Sequence, residues 1–278
     1  MTTSAPAWLA DPSRLLEPEQ LLAGFPADRL VVHVASAEAY AAAHVPGAVL
    51  VEPGELVAGT PPAPGRLPTL ERLTALFGRI GYQPDREIVV YDDEGGGWAG
   101  RFIWTLDVIG HTRWAYLDGG IVAWAALGLP LEQGIPPPPT PSAPQITIDT
   151  RPIAEVADVL ATIGDQGSIV WDARSEAEYL GLRSGSRRAG HVPGAVNLDW
   201  MHLMDPARDL RLVGNLPDQL AARGITPDRS VITHCQTHHR SGLTYLAARL
   251  LGFPRIKAYH GSWGEWGNRE DTPIETGR

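Results

Sequence analysis

The hexapeptide HVPGAV occurs twice in this chain, at His44–Val49 and again at His191–Val196. Identical segments so far apart demand the same local structure twice, which points to a chain that folds as two versions of one unit. The flanks repeat as well. LVVHVASAEAY (Leu30–Tyr40) parallels IVWDARSEAEY (Ile169–Tyr179), and GYQPDREIVVYDD (Gly81–Asp93) parallels GITPDRSVITHC (Gly224–Cys235). YLDGGIVAW (Tyr116–Trp124) parallels AYHGSWGEW (Ala258–Trp266). Two copies of so long a unit make a tandem domain duplication rather than a solenoid. The 278 residues agree with this, at roughly 150 residues per domain. The boundary is expected in EQGIPPPPTPSAPQ, whose run of four prolines favours an extended polyproline spacer. That divides the chain into 1–131, a linker 132–145, and 146–278.

Within each copy, short apolar runs alternate with helical patterns. Ile169–Trp171 and Ser230–Thr233 read as inner strands, Leu216–Arg223 as a helix. Gly242–Leu251 has apolar residues at helical spacing and stops at Gly252. The fold class is therefore α/β, each unit a mainly parallel sheet flanked by helices. Ligands in such sheets bind beyond the carboxyl ends of the strands.

Charge and composition exclude several classes. The net charge of −9 repels phosphate backbones, so nucleic acid is not an expected partner. No apolar run reaches the 18 or so residues needed to span a bilayer. The N-terminal stretch lacks the basic start and apolar region of a secretory signal, so a cytoplasmic location is expected. There is one cysteine, Cys235, and one cysteine forms no internal disulfide.

Cys235 stands where a strand gives way to a helix, in SVITHCQTHHRSGLTYLAARL. The strand is expected to end near His234 and the helix to begin near Ser241. A sulfur there faces loop N–H groups and the positive end of a helix dipole. Arg240 adds a permanent positive charge. Together these lower a thiol pKa and favour the nucleophilic thiolate. His238 and His239 are expected to supply positive charge or hydrogen bonds at the pocket mouth. His234, at the strand end, is expected to pack. Three imidazoles and a thiolate would suit zinc chemically, but ligands this close in sequence need the loop to wrap around the ion, so no metal is expected. His44 and His191 occur in both copies and read as structural. Arg174 is expected to pair with a carboxylate. Arg183, Arg187 and Arg188 are expected to be a solvated stretch, with anion guidance as the functional alternative. Trp263 and Trp266 read as packing residues.

With these residues in place, the chain resembles a tandem-domain rhodanese, the thiosulfate sulfurtransferase family. The resemblance rests on the duplication, Asp172–Ser175 (DARS), Gly190–Asn197 (GHVPGAVN) and the strand–cysteine–loop–helix. The loop CQTHHRS is similar to that of one bacterial subgroup. The resemblance implies two rhodanese-like domains, with Cys235 as catalytic nucleophile. It also implies substrate binding by Gln236, Thr237, His238, His239, Arg240 and Ser241. It implies no cofactor. The implied partners are a small sulfur donor, such as thiosulfate, and an acceptor, such as cyanide or a thiol, a protein thiol included. In the first copy the aligned position is Asp92, which carries no sulfur, so that copy is expected to be catalytically silent, packing against the second domain and shaping the cleft. Two departures bear on the donor. Gln236-Thr237 match neither the Arg-Lys of thiosulfate-specific eukaryotic members nor the Gly-Ser or Gly-Thr of mercaptopyruvate-specific ones. Glu178 stands where many members have an arginine. Mercaptopyruvate is thus the alternative donor. A cysteine phosphatase or arsenate reductase is a further alternative, but those have five residues between cysteine and arginine where this chain has Gln236–His239. A non-enzymatic persulfide carrier is the third.

Overall fold

The computed structural model describes residues 6–23 and 29–277. The first copy contributes strands β1 (Leu15–Leu16), β2 (Arg29–Val34), β3 (Val49–Val51), β4 (Glu87–Asp92) and β5 (Trp114–Leu117). They pair in the order β1-β5-β4-β2-β3, every pair parallel. Its helices are α1 (Pro18–Ala23), α2 (Ala37–Ala42), α3 (Leu70–Arg79), α4 (Gly97–Val108) and α5 (Gly120–Ala126). The second copy repeats the sheet with β6 (Ile153–Ala154), β7 (Ser168–Asp172) and β8 (Val196–Asn197), then β11 (Ser230–His234) and β12 (Ile256–Tyr259), in the order β6-β12-β11-β7-β8. Between β8 and β11 lies a short antiparallel hairpin, β9 (Met204–Asp205) with β10 (Arg211–Leu212). Its helices are α6 (Val156–Thr162), α7 (Glu176–Tyr179), α8 (Leu216–Ala221), α9 (Arg240–Leu250) and α10 (Ser262–Trp266). The central strands β4 and β11 are buried almost end to end. Helices on both faces require that, which is why these strands read as apolar runs without alternation. No helix among the described residues is long and apolar enough to cross a membrane.

The repeated HVPGAV motif is a clasp. His44 stacks on Tyr40 and bonds its carbonyl through Nδ1 at 2.9 Å, and its backbone exchanges hydrogen bonds with Glu132. His191 does the same with Tyr179, at 2.7 Å, and with Glu275. Both histidines are structural, as their presence in both copies implies. The clasp also moves the boundary expected at residue 131: Glu132 closes the first unit, and Gly134 donates to the Ala41 carbonyl at 2.8 Å. The proline-rich segment then runs along α3, where Ser142 N–H reaches the Gly78 carbonyl at 2.9 Å.

The two units share one core. Helix α4 is buried nearly throughout, because one face covers its own sheet and the other meets α9. The helices cross backbone to backbone: a Cβ on Gly100 would lie 2.2 Å from the Gly242 carbonyl oxygen, and one on Gly242 2.3 Å from that of Gly97. Polar pairs tie the same interface, with Tyr245 donating to Asp107 at 2.8 Å and Trp104 Nε1 to the Pro152 carbonyl at 3.0 Å.

Candidate active site

Cys235 directly follows β11, at the carboxyl end of the sheet, and is 1% exposed. Its backbone is held from the turn after β12: Trp263 N–H donates to the Cys235 carbonyl at 2.9 Å, and Gly264 N–H to that of Gln236 at 2.9 Å. Residues 236–239 form the loop, and α9 starts at Arg240, one residue earlier than the sequence pattern indicates. The thiol lies below its usual pKa. Burial, the largest effect, pushes it up. Arg240's charge and hydrogen bonds from the Ser241 N–H and hydroxyl more than offset that.

Arg240 is bound bidentately by Glu178, at 2.7 and 2.9 Å. Burial opposes its charge, but that carboxylate and Cys235 raise its pKa. Glu178 is likewise held down to about 2, since Arg240 and Ser175 outweigh its burial. Glu178 also closes the capping box of α7 with Ser175.

The histidines divide. His238 is fully buried in a left-handed conformation, φ 54°, beneath the loop. Burial, followed by the charge of Arg101, holds its pKa well below the usual value. Of the positive charge or hydrogen bond expected from the sequence it offers only the hydrogen bond, and from a buried position, because the loop turns its ring inward against Trp104, 4.6 Å away. Its Nδ1 lies 2.7 Å from Ser241 Oγ, while Nε2 has no partner. A proton on Nδ1 satisfies this arrangement and frees the Ser241 hydroxyl to donate to Cys235. His239 does lie at the rim. It stacks on Trp98 at 4.4 Å, leans against Trp200 and bonds Glu94 of the first unit. His234 bonds the Cys235 carbonyl at 3.1 Å and faces Asp172. The three rings thus serve three separate partners.

Gln236 and Thr237 are half-buried. Gln236 Nε2 donates to Ser186 at 3.1 Å. The Thr237 carbonyl lies against the first unit, where a Cβ on Gly65 would sit 2.0 Å from its oxygen. Arg174 pairs with Asp172 inside the domain and stacks over Trp263 at 4.2 Å. Arg188 is bonded to Thr272 and Trp266, and Arg187 forms an exposed ion pair with Glu270 at 3.7 Å. Arg183, 67% exposed, reaches Glu178 at 3.4 Å. The basic stretch is therefore largely occupied.

The equivalent loop of the first unit is closed on itself. Asp92 Oδ1 accepts from the N–H groups of Gly95 at 3.1 Å and Gly96 at 2.9 Å, and Oδ2 from Ala99 at 2.9 Å. A carboxylate thus fills the ring of N–H donors. The second unit's β9–β10 hairpin covers it, with Met204 and Leu210 against Gly95.

The rhodanese-like domain model matches this chain twice, over residues 17–127 and 155–269. The chain belongs to the rhodanese-like family. Among similar members, a thiosulfate sulfurtransferase of Azotobacter vinelandii is 49% identical over 94% of this chain and 96% of its own. One from Pseudomonas aeruginosa is 50% identical with the same coverage. The crystal structure of YnjE superposes with a TM-score of 0.88 over 97% of this chain and 70% of that one, at 23% identity, and shares the rhodanese-like fold. Sequence reasoning expects the first unit to shape the cleft but does not name the residues that do so: Glu94, Trp98, Gly65 and Arg101. The sequence offers one faint signal for two of them, the placement of Glu94 and Trp98 just after Asp92, in the segment aligned with the cysteine loop.

Proposed function

We propose that this chain is a thiosulfate sulfurtransferase that carries sulfur as a persulfide on Cys235. Sulfurtransferase activity rests on the two relatives at about half identity over nearly their whole length. The persulfide route rests on one observation: a single cysteine at a strand–loop–helix junction, its pKa lowered against its burial by Arg240 and Ser241.

The Cys235 thiolate attacks the outer sulfur of thiosulfate. The S–S bond of the donor breaks and sulfite leaves with its electron pair. The enzyme now holds Cys–S–S⁻. Cyanide or a thiolate then attacks the terminal sulfur, the new S–S bond breaks, and its electrons return to Cys235. Ser241 N–H, the first turn of α9 and Arg240 stand fixed around both anions, so little reorganisation is needed. Gln236, Thr237, His239 and Arg240 are the half-buried residues that follow Cys235, and a protein thiol is among the acceptors of this reading. In this reading the first unit is chemically silent, because Asp92 both lacks sulfur and fills its own anion site. A reducing cytoplasm suits a resting thiolate.

The test compares thiosulfate, mercaptopyruvate and an aryl phosphate as substrates of the full chain. Sulfur turnover with thiosulfate preferred is expected. Phosphate release without sulfur transfer would overturn the assignment; preference for mercaptopyruvate would overturn only the donor.

A further inference from the structure

Among the described residues, the charges around Cys235 are matched with one exception. Arg240 is held by Glu178, Arg174 by Asp172, and His239 by Glu94. His260, after β12, is bonded to Glu155. Arg101, on α4 of the first unit, is fully buried and has only carbonyl partners: Gly65 at 2.8 Å, Leu56 at 2.6 Å and Arg66 at 3.4 Å. Its Nε has no partner, and none of the ion pairs among the described residues includes it. Its guanidinium lies over Trp104 at 4.6 Å. Burial pushes its pKa down to about 9, which leaves it charged at neutral pH. A buried charge without a counter-ion is strongly disfavoured.

Arg101 reaches the start of α9 directly and the cysteine loop through two of its neighbours. Its backbone N is 2.5 Å from where a Cβ on Gly242 would be. Its acceptor residue Gly65 packs on Thr237, and Trp104 packs edge-on against His238. A Cys235 thiolate favours the Arg101 charge, in addition to the Arg240 charge that it already faces.

We propose that Arg101 is the buried counter-charge of the Cys235 thiolate and persulfide, supplied across the domain interface by the unit that lacks a nucleophile. This rests on Cys235 being the sulfur carrier. The chemistry suits a fixed cation. Thiosulfate enters and sulfite leaves with the same charge, so the cysteine carries one negative charge before and after loading. A guanidinium held by carbonyls balances both states without moving.

The experiment follows iodoacetamide alkylation of Cys235 against pH in the full chain. Arg101→Gln keeps N–H donors for the carbonyls but removes the charge; Arg101→Met is a second neutral variant. Either should raise the alkylation midpoint by about one pH unit, the scale for a nearby opposite charge, and Arg101→Lys should restore it. A folded neutral variant with the wild-type midpoint would show that Arg101 only fastens the loop and overturn the proposal. A readout needing no Arg101 variant is its ¹⁵N Nε resonance in the wild-type chain. It should shift with the Cys235 midpoint and lose that shift in Cys235→Ser; an unmoved resonance would also overturn the proposal. If the wild-type chain takes up no sulfur at Cys235, the sulfur-carrier reading fails, whatever the midpoints show about Arg101.

Discussion

Arg240 answers to two acids at once, the Cys235 thiol and the Glu178 carboxylate. Arg240→Ala should therefore weaken sulfur loading by about 1–3 kcal/mol, the scale of a charge-assisted hydrogen bond, read as the thiosulfate concentration needed to half-load the protein. Glu178 gives a pH prediction. Its pKa falls from 4.5 to about 2 on folding, so its pairing stabilises the fold above the unfolded value and is lost as pH drops through about 2. Glu178→Gln keeps a residue that suits the capping box but removes this dependence. The stability gap between wild type and variant in urea titrations should be widest near neutrality and close between about pH 4.5 and about 2. A gap unchanged with pH would place the effect in packing. At this scale the sequence was legible where chemistry is local. Cys235, Arg240 and the loop between them are contiguous, so their juxtaposition needs no tertiary information. His238 was misread because a left-handed turn, invisible to pattern, sends one of two adjacent histidines inward. Glu94 and Arg101 reach the site only through domain packing, which neither spacing nor periodicity reports.

Helices α4 and α9 meet through glycines, and that contact positions the cysteine loop, since Gly242 follows Ser241 directly. Gly100→Ala would drive a methyl into the Gly242 carbonyl. Because backbone, not a flexible side chain, is in the way, the cost should reach or exceed the upper end of the about 1–3 kcal/mol usual for overpacking. Thermal unfolding should show a clear drop in midpoint, and sulfur loading should fall with it; wild-type values for both would mean the helices can slide apart freely. The elements themselves were readable from periodicity and from Gly252 as a stop. The crossing was not, because a glycine in a helix pattern looks the same whether it faces solvent or another backbone.

The two units exchange covers. The first unit's loop around Pro61–Leu67 lies on the second: Arg66 bridges Glu155 and Glu265, each at 2.7 Å, and Leu67 N–H meets His260 at 3.0 Å. The second unit's hairpin returns the favour at Gly95, and at Asp118, which accepts from Leu212 N–H at 2.9 Å. Residues 146–278 alone would expose the apolar face of α9, with Leu243 and Leu246 fully buried in the whole chain. That half should aggregate or show no cooperative unfolding by circular dichroism; a stable, fully active half would contradict the account of a shared core. The repeat announced two units in the sequence. That the first unit would shape the other's cleft was expected from the sequence, but which of its residues do so was not readable there, since that is a property of how the copies pack.

Sulfur transfer through Cys235 requires sulfur to reside there, and mass spectrometry reads this directly. After incubation of the full chain with thiosulfate, the peptide containing Cys235 should gain the mass of one sulfur atom and lose it on addition of cyanide, and Cys235→Ser should show neither change. An unmodified Cys235 peptide alongside continuing cyanide-dependent turnover would contradict the persulfide mechanism.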